Sequence, residues 1–278
     1  MKLQEHVSDT ATLIHYELPA MSHGSLSGVM GTRFDILIFD KNKEQSKLIW
    51  KLIVRELSRL SDMLNRFDPL SEVSRVNRCA CKRPLRLSDE LWDILLDCRT
   101  YHQKTDGLFD ITLNDFSTIN LNHEDRTLSF KKQGMFIDFG GYGKGYAMKR
   151  VLMILHTYEI KHAFIDFGNS AIYGLGHHPF GDSWKVSINN PYHRGVTVGE
   201  FSLMNGALST SGNAPSYTGH IVNPHNGERS MARMMICIES VDPLDAEVLS
   251  TAMMVAGPNQ KEKMMQSFQI NKVEEYKV

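Results

Sequence analysis

The chain has 278 residues, of which 42 % are apolar and 23 % are charged, and its net charge at pH 7 is −1. These values are ordinary for a globular protein and allow one large domain or two subdomains in close contact. Because no global positive charge is available to attract phosphate backbones, we expect no nucleic-acid partner.

The N-terminal region shows neither a lipobox nor an apolar run long enough for a signal peptide. We therefore expect a cytoplasmic protein, or an exported one whose leader has been removed. Residues 1–22 are expected to form a mobile arm, followed by a single domain over residues 23–278. The cysteines are Cys79, Cys81, Cys98 and Cys237. Their spacing gives no disulfide framework and no zinc motif, so we expect free thiols.

The predicted elements alternate irregularly along the chain. Strands are predicted at residues 29–39, 125–129, 135–138, 163–167, 184–188, 199–203 and 234–238. Helices are predicted over residues 43–62, 147–158 and 246–255, and from the N-cap Ser88 to just before Thr105. This order favours a mixed α+β architecture over a regular parallel barrel.

A glycine-rich turn, IDFGGYGKG at residues 137–145, separates a predicted strand from a predicted helix. Glycines permit close backbone approach, and a helix N-terminus attracts anions. Lys144 adds a mobile cation, so the turn is suited to hold a pyrophosphate. The turn matches neither the Rossmann fingerprint nor the P-loop, and a purely structural turn is the alternative.

The segment AEVLST, residues 246–251, places Glu247 and Thr251 four residues apart on one helix face, with Ser250 beside them. A carboxylate and a hydroxyl are ligands that hard cations prefer. The alternative is that this helix face simply contacts water.

His220 lies in a segment rich in small hydroxyl residues, ALSTSGNAPSYTGHIVNPHNGE at residues 207–228. A histidine can accept a proton from a hydroxyl group near neutral pH. The alternatives are a structural histidine at a strand edge or a serine nucleophile among residues 209–211. Neither a GxSxG nor an SxxK motif supports the nucleophile.

The order of the motifs resembles that of the ApbE family, the FAD:protein FMN transferases. The motifs are MGTRF (30–34), NRFDPLSEVSRVNR (65–78), TDGLFDIT (105–112), IDFGGYGKGYA (137–147), AFIDFGN (163–169), ALSTSGN (207–213), HIVNPHNGE (220–228) and AEVLSTAMMVAG (246–257). The resemblance covers about residues 28–258.

The resemblance implies a T-fold-like α+β architecture with two subdomains around an FAD cleft. It implies that FMN is moved from FAD to a threonine hydroxyl of an acceptor flavoprotein, with Mg²⁺ present and AMP released. A subunit of a membrane redox complex is one such acceptor.

The resemblance also implies roles for individual residues. The residues expected to contact FAD are Met30, Phe67, Leu108, Phe109, Asp110, Asp138, Lys144 and Ile221. The residues expected to bind the metal are Gly141, Glu247, Ser250 and Thr251. His220 and Lys144 are expected to act in catalysis.

The sequence departs from the family pattern at three places. Glu247 and Asn223 stand where the family has aspartates, and the segment between residues 210–212 and His220 is shorter than usual. They favour one alternative, an FAD-binding protein with weakened catalysis. Two further alternatives to the transferase are a metal-dependent FAD pyrophosphatase that gives FMN and AMP, and an interaction protein that keeps only the fold.

Overall fold

The computed structural model describes residues 10–17 and 20–278, and within them it forms thirteen strands and six α-helices. The strands are β1 Ala11–Tyr16, β2 Met21–Val29, β3 Thr32–Phe39, β4 Leu85–Arg86, β5 Ile119–Asn122, β6 Thr127–Phe130, β7 Ala163–Phe167, β8 Ala171–Leu175, β9 Trp184–Asn189, β10 Thr197–Leu203, β11 Gly206–Gly212, β12 Met234–Ser240 and β13 Ile270–Lys277. The helices are α1 Lys43–Leu64, α2 Glu72–Cys79, α3 Asp89–Lys104, α4 Gly143–Thr157, α5 Pro243–Met253 and α6 Pro258–Ser267.

The centre of the fold is an eight-stranded sheet in the order β1-β2-β3-β7-β8-β11-β12-β13, with antiparallel pairing between every two neighbours. Side chains alternate between its two faces along each strand. In β3, Phe34 and Ile36 pack into the main core with α1 and α4, whereas Phe39 packs with the hairpin β9–β10 in a second, smaller core. Both faces of the sheet are therefore covered.

A smaller sheet, β4-β6-β5, and the helices α2 and α3 are formed by the part of the sequence between α1 and α4. Helix α3 begins as predicted: the Oγ of Ser88 accepts a hydrogen bond from the N–H of Leu91. Leu95 and Cys98 lie on its buried face, as the helical spacing of apolar residues predicted.

The predicted N-terminal arm is wrong for residues 11–16 and 21–22. Residues 11–16 form the edge strand β1, which pairs with β2 in register from Ala11↔Leu26 to Tyr16↔Met21. The strand has little alternation of apolar and polar residues because its exposed face carries Ile14 and Tyr16. Residues 1–9 and 18–19 of the predicted arm lie outside the described residues.

Two other strand predictions need correction. The predicted strand at residues 29–39 is divided by a hairpin turn in which Met30 and Gly31 adopt positive φ angles of 47° and 75°. Residues 135–138 form no strand. The side chain of Asn77 takes the place of a neighbouring strand, because it donates to the carbonyl of Ile137 and accepts from its N–H.

The cysteines are free thiols, as predicted, with Cys98 and Cys237 buried. Among the described helices, none combines the length and the apolar character that crossing a membrane would need. The predicted α+β class agrees with this mixture of antiparallel sheets and packed helices.

Candidate active site

The glycine-rich turn leads directly into α4, whose first turn faces α5. Tyr142, the N-cap of α4, makes no side-chain capping bond, so the first N–H groups of the helix are available to other acceptors. One of them, the N–H of Gly145, donates to Oε2 of Glu247. A Cβ on Gly145 would lie 2.8 Å from the carbonyl oxygen of Pro243 and 2.9 Å from Oε2 of Glu247. Glycine at this position therefore lets α4 and α5 approach closely.

Glu247 is a buried carboxylate with two electropositive partners. It is 2 % exposed, and its Oε1 lies 2.6 Å from Nζ of Lys144. The N-terminus of α4 adds partial positive charge. A buried carboxylate is costly unless it is paired and hydrogen-bonded, so these partners explain its position inside the protein. The alternative that this helix face contacts water is wrong for Glu247.

Thr251 lies one turn after Glu247 and also faces the glycine-rich turn. A Cβ on Gly141 would be 3.3 Å from Oγ1 of Thr251, so the backbone of the turn runs directly against this hydroxyl. The shared helix face predicted from the four-residue spacing is therefore present. It points from α5 toward the start of α4.

Ser250 has different surroundings, because it is fully buried. Its Oγ lies 3.0 Å from Oγ of Ser209 and 2.8 Å from Oγ of Ser211, and it donates to the carbonyl of Glu247 at 3.0 Å. These bonds tie α5 to β11. The hydroxyl of Ser250, which was predicted to bind the metal, is therefore engaged in hydrogen bonds within the protein. Its placement does not support the metal-binding role, which stays a prediction.

The donor atoms around the turn suit a hard cation only in part. Within residues 10–17 and 20–278, no three His, Cys, Asp or Glu side chains are grouped so that they could hold a metal ion. The available donors are the carboxylate of Glu247, the hydroxyl of Thr251 and the backbone of Gly141. Mg²⁺ is commonly held by one or two carboxylates together with substrate phosphates. This set therefore fits Mg²⁺ when a bound phosphate supplies further oxygens.

An arginine and two aromatic rings lie next to the start of the turn. Asp138 accepts from the N–H of Gly140 at 2.8 Å, and its Oδ2 lies 2.7 Å from Nε of Arg66. The guanidinium of Arg66 is 4.4 Å from the ring centroid of Phe67 and 5.1 Å from that of Phe136. The sequence predictions included Asp138 and Phe67 but missed Arg66. Its position directly before the predicted aromatic residue was the available signal.

Phe67 and Met30 differ in how they are held. Phe67 is 79 % exposed, so its ring has a free face on which a flavin or adenine ring can stack. Met30 sits in the tight turn between β2 and β3, and its Sδ would be 3.8 Å from a Cβ on Gly143. Met30 is therefore next to the first residue of α4.

His220 lies under the ring of Tyr217, with the ring centroids 3.9 Å apart and an interplanar angle of 23°. Burial lowers the pKa of His220 below its ordinary value of 6.5; the backbone of Tyr217 acts in the opposite direction, and the positive charge of Lys144 adds to the effect of burial. Its Nδ1 is buried and makes no hydrogen bond to any described residue. Buried polar atoms normally have a partner, so a ligand atom is a reasonable one. Tyr217 was not predicted, and no motif marks it.

A model of the ApbE family matches residues 30–118 and 113–274, which together span most of the chain. The chain belongs to the ApbE family. It is 24 % identical over 259 residues to the FAD:protein FMN transferase of Chlamydia muridarum, and this match covers 79 % of the chain and 78 % of the relative. It is 22 % identical over 295 residues to the FAD:protein FMN transferase of Escherichia coli strain K12, with 89 % and 83 % covered.

Solved ApbE structures share the fold. The flavin transferase ApbE from Vibrio cholerae matches with a TM-score of 0.78 at 20 % identity, over 96 % of this chain and 97 % of that chain. The ApbE protein from Thermotoga maritima matches with a TM-score of 0.74 at 21 % identity, over 87 % and 89 %. At these identities the likeness concerns the fold, and it confirms the predicted α+β class.

Three residues that the ApbE resemblance predicted to contact FAD are buried in the protein interior. Leu108 and Phe109 are 3 % and 5 % exposed and belong to the main core. Asp110 is 4 % exposed and accepts from the N–H and hydroxyl of Thr112 and from the N–H of Phe116. These side chains offer FAD almost no surface. What they do in the structure is fix the loop after α3.

The second part of the His220 motif is also structural. Ile221 is 5 % exposed and packs in the main core. The side-chain oxygen of Asn223 accepts a hydrogen bond from the N–H of His225 at 3.0 Å, and the backbone N–H of Asn223 donates to the backbone carbonyl of Glu228. An asparagine can make this turn bond as well as an aspartate. Asn223 therefore preserves the turn that follows His220.

Proposed function

We propose that this ApbE-family chain is an FAD:protein FMN transferase, which moves FMN from FAD to a threonine hydroxyl of an acceptor flavoprotein and releases AMP. The observation that carries the proposal is the meeting of Glu247 on α5 with Lys144 and the N–H of Gly145 at the start of α4. The curated relatives that bear this activity in their names match most of the chain.

The diphosphate of FAD would bind at the N-terminus of α4. The dipole of the helix attracts anions there, and the ammonium of Lys144 adds a full positive charge. Glu247, Thr251 and the carbonyl of Gly141 would hold a Mg²⁺ ion, whose chemistry when bound is to withdraw negative charge from the diphosphate oxygens.

One aromatic part of FAD would stack on Phe67. Arg66 lies close to this ring and pairs with Asp138, so the stacking surface is connected to the glycine-rich turn. This connection orients the nucleotide relative to the diphosphate site, and orientation is a large part of catalysis in phosphoryl transfer.

His220 would accept the proton of the threonine hydroxyl. Its lowered pKa keeps the imidazole neutral near pH 7, which is the form that can take a proton. A bond then forms between the threonine oxygen and the phosphorus of FMN, while the bond from that phosphorus to the bridging oxygen breaks. AMP leaves with the electron pair of the broken bond. The acceptor that we expect is a flavoprotein, such as a subunit of a membrane redox complex.

The proposal is tested by incubating the purified protein with FAD and Mg²⁺, with and without EDTA, and with and without an acceptor protein that carries a target threonine. AMP is followed by chromatography, and covalent flavin on the acceptor by in-gel fluorescence and mass spectrometry. Flavin bound to the acceptor threonine together with AMP supports the transferase.

Three other outcomes would replace the proposal. AMP and free FMN formed equally with and without acceptor would indicate an FAD pyrophosphatase with water as the acceptor. FAD that is bound but intact in every tube would indicate a flavin-binding protein without turnover. No FAD binding at all would leave a protein that shares only the fold of its relatives.

A further inference from the structure

We propose that, in the free protein, the ammonium group of Lys144 occupies the position at the carboxylate of Glu247 where a metal ion would bind. A divalent metal then binds tightly only together with the diphosphate, which draws Lys144 away from Glu247. This inference rests on the proposed function for the identity of the diphosphate ligand. It adds that the affinity for the metal and the affinity for FAD depend on each other, because of the ion pair between Lys144 and Glu247.

The first argument is that both oxygens of the carboxylate are already used. Oε1 of Glu247 lies 2.6 Å from Nζ of Lys144, and Oε2 accepts from the N–H of Gly145. The other donors in reach of a cation, the hydroxyl of Thr251 and the backbone of Gly141, are neutral. A metal ion that binds this carboxylate must therefore either displace Lys144 or lie close to its ammonium group, whose charge repels it.

The second argument is the balance of charge. Glu247 and Lys144 together are neutral, so a dication placed beside them would leave two uncompensated positive charges in a partly buried site. Repulsion between like charges is strong where water is excluded. A bound diphosphate brings two negative charges and restores neutrality. The metal and the diphosphate should therefore each raise the affinity of the other, by the same factor.

The third argument is that the two partners differ in their freedom to move. The side chain of Glu247 is 3 % exposed, whereas that of Lys144 is 20 % exposed. Lysine carries its charge on a flexible four-carbon stem. Lys144 can therefore swing toward a ligand at the start of α4, while Glu247 stays in place to receive the metal.

The test measures Mn²⁺ binding to the metal-free protein, without any nucleotide, by electron paramagnetic resonance and calorimetry. Wild type should bind Mn²⁺ weakly. Lys144→Met should bind it about tenfold more tightly or better, because the competing charge is gone. Lys144→Arg keeps the charge and should stay as weak as wild type.

Lys149 provides the matched control on the same helix. Its Nζ lies 2.7 Å from Oδ2 of Asp242, in a more exposed ion pair. Lys149→Met removes one positive charge from α4 without touching Glu247, and it should leave Mn²⁺ binding unchanged. If Lys149→Met strengthened binding as much as Lys144→Met, the effect would be one of net charge and the proposal would be overturned.

Equal Mn²⁺ affinities of wild type and Lys144→Met would also overturn the proposal. Circular dichroism verifies that each variant is folded. Should Lys144→Met fail to fold, Lys144→Gln replaces it, because glutamine also removes the positive charge but keeps a hydrogen-bond donor near Glu247. Titration of wild type with FAD in the presence of Mg²⁺, followed by flavin fluorescence, is run in parallel. Absence of FAD binding there would refute the proposed function, whatever the Mn²⁺ result.

Discussion

Arg66 and Asp138 form an ion pair, with Nε of Arg66 2.7 Å from Oδ2 of Asp138. The same guanidinium lies over the ring of Phe67 at 4.4 Å. An exposed aromatic residue is thus connected, through one arginine, to the start of the turn that precedes α4. This relationship makes the loop after α1 a part of the candidate site.

Phe67→Ala should weaken FAD binding about tenfold or more, because stacking of a base on an aromatic side chain contributes about 1–3 kcal/mol. The thermal stability should hardly change, since Phe67 is 79 % exposed. The measurement is a titration of the metal-free protein with FAD, followed by flavin fluorescence.

Leu70 provides the control for Phe67, because it lies on the same loop and is 92 % exposed. Leu70→Ala should bind FAD as wild type does. Arg66→Met should give a smaller loss than Phe67→Ala, since a cation–π contact contributes about 0.5–2 kcal/mol. Wild-type affinity in Phe67→Ala would show that FAD stacks elsewhere.

Glu247→Gln should lower Mg²⁺-dependent AMP formation by about a hundredfold or more, because it removes the charged ligand from the metal site. FAD binding in metal-free buffer should persist, since Lys144 is then released toward the diphosphate. The measurement is AMP formation by chromatography, beside a fluorescence titration with FAD.

Glu275→Gln is the matched control for Glu247→Gln. It breaks a Lys–Glu pair of the same length, 2.6 Å to Lys261, in which the glutamate side chain is 42 % exposed. Its turnover should equal that of wild type. If Glu247→Gln also kept wild-type turnover, the assignment of Glu247 to the metal would be refuted.

The sequence predicted those parts of the fold and site in which local signals, such as helix caps and the spacing of residues along a helix, agree with the burial seen in the structure. Ser88 opens α3 because its side chain caps the helix, and the spacing of Glu247 and Thr251 on one helix face was readable before the structure. The burial of Glu247 was not readable, because it depends on Lys144, more than a hundred positions away in the chain. Only the resemblance to the ApbE family placed the two residues in one site.

Three missed elements, β8, β11 and α2, lack a clear hydrophobic period. Strand β8 is buried at every position and shows no alternation. Strand β11 has the sequence GALSTSG, whose small and hydroxyl residues read as a loop, although it pairs with β8 and β12 on either side. Helix α2 has eight residues, too few for a helical period to be recognised.

The pH dependence of turnover should report on His220. Burial lowers its pKa from the ordinary value of 6.5, and the neutral imidazole, which predominates above the pKa, is the form that accepts a proton. The value of kcat/KM should therefore rise with pH to a half-maximum below pH 6.5 and stay flat through pH 7 to 8. The measurement is kcat/KM for FAD at saturating acceptor.

His220→Gln is the comparison for this profile, because it cannot titrate. It should be slower at every pH and lose the dependence between pH 5 and 7. A wild-type half-maximum well above pH 6.5 would contradict the assignment, since it would require a base whose pKa is raised and not lowered. An unchanged profile in His220→Gln would assign the dependence to another group.

Gly145→Ala should destabilise the protein by about 1–3 kcal/mol, because the added methyl group overpacks the contact between α4 and α5. Its Cβ would lie 2.8 Å from the carbonyl oxygen of Pro243 and 2.9 Å from Cα of Leu244, and both are backbone atoms that cannot rotate away. Thermal melting followed by circular dichroism measures the loss, which should be roughly 2–4 °C per kcal/mol for a chain of this size.

Gly143→Ala is the control for this substitution. It lies in the same helical turn, but the nearest atom to its Cβ would be Sδ of Met30 at 3.8 Å, an ordinary van der Waals distance. Because alanine is a better helix former than glycine, Gly143→Ala should melt at the wild-type temperature or above it. Equal melting of the two variants would show that the close packing of α4 against α5 does not limit stability, and that Gly145 is not needed to bring its N–H to Glu247.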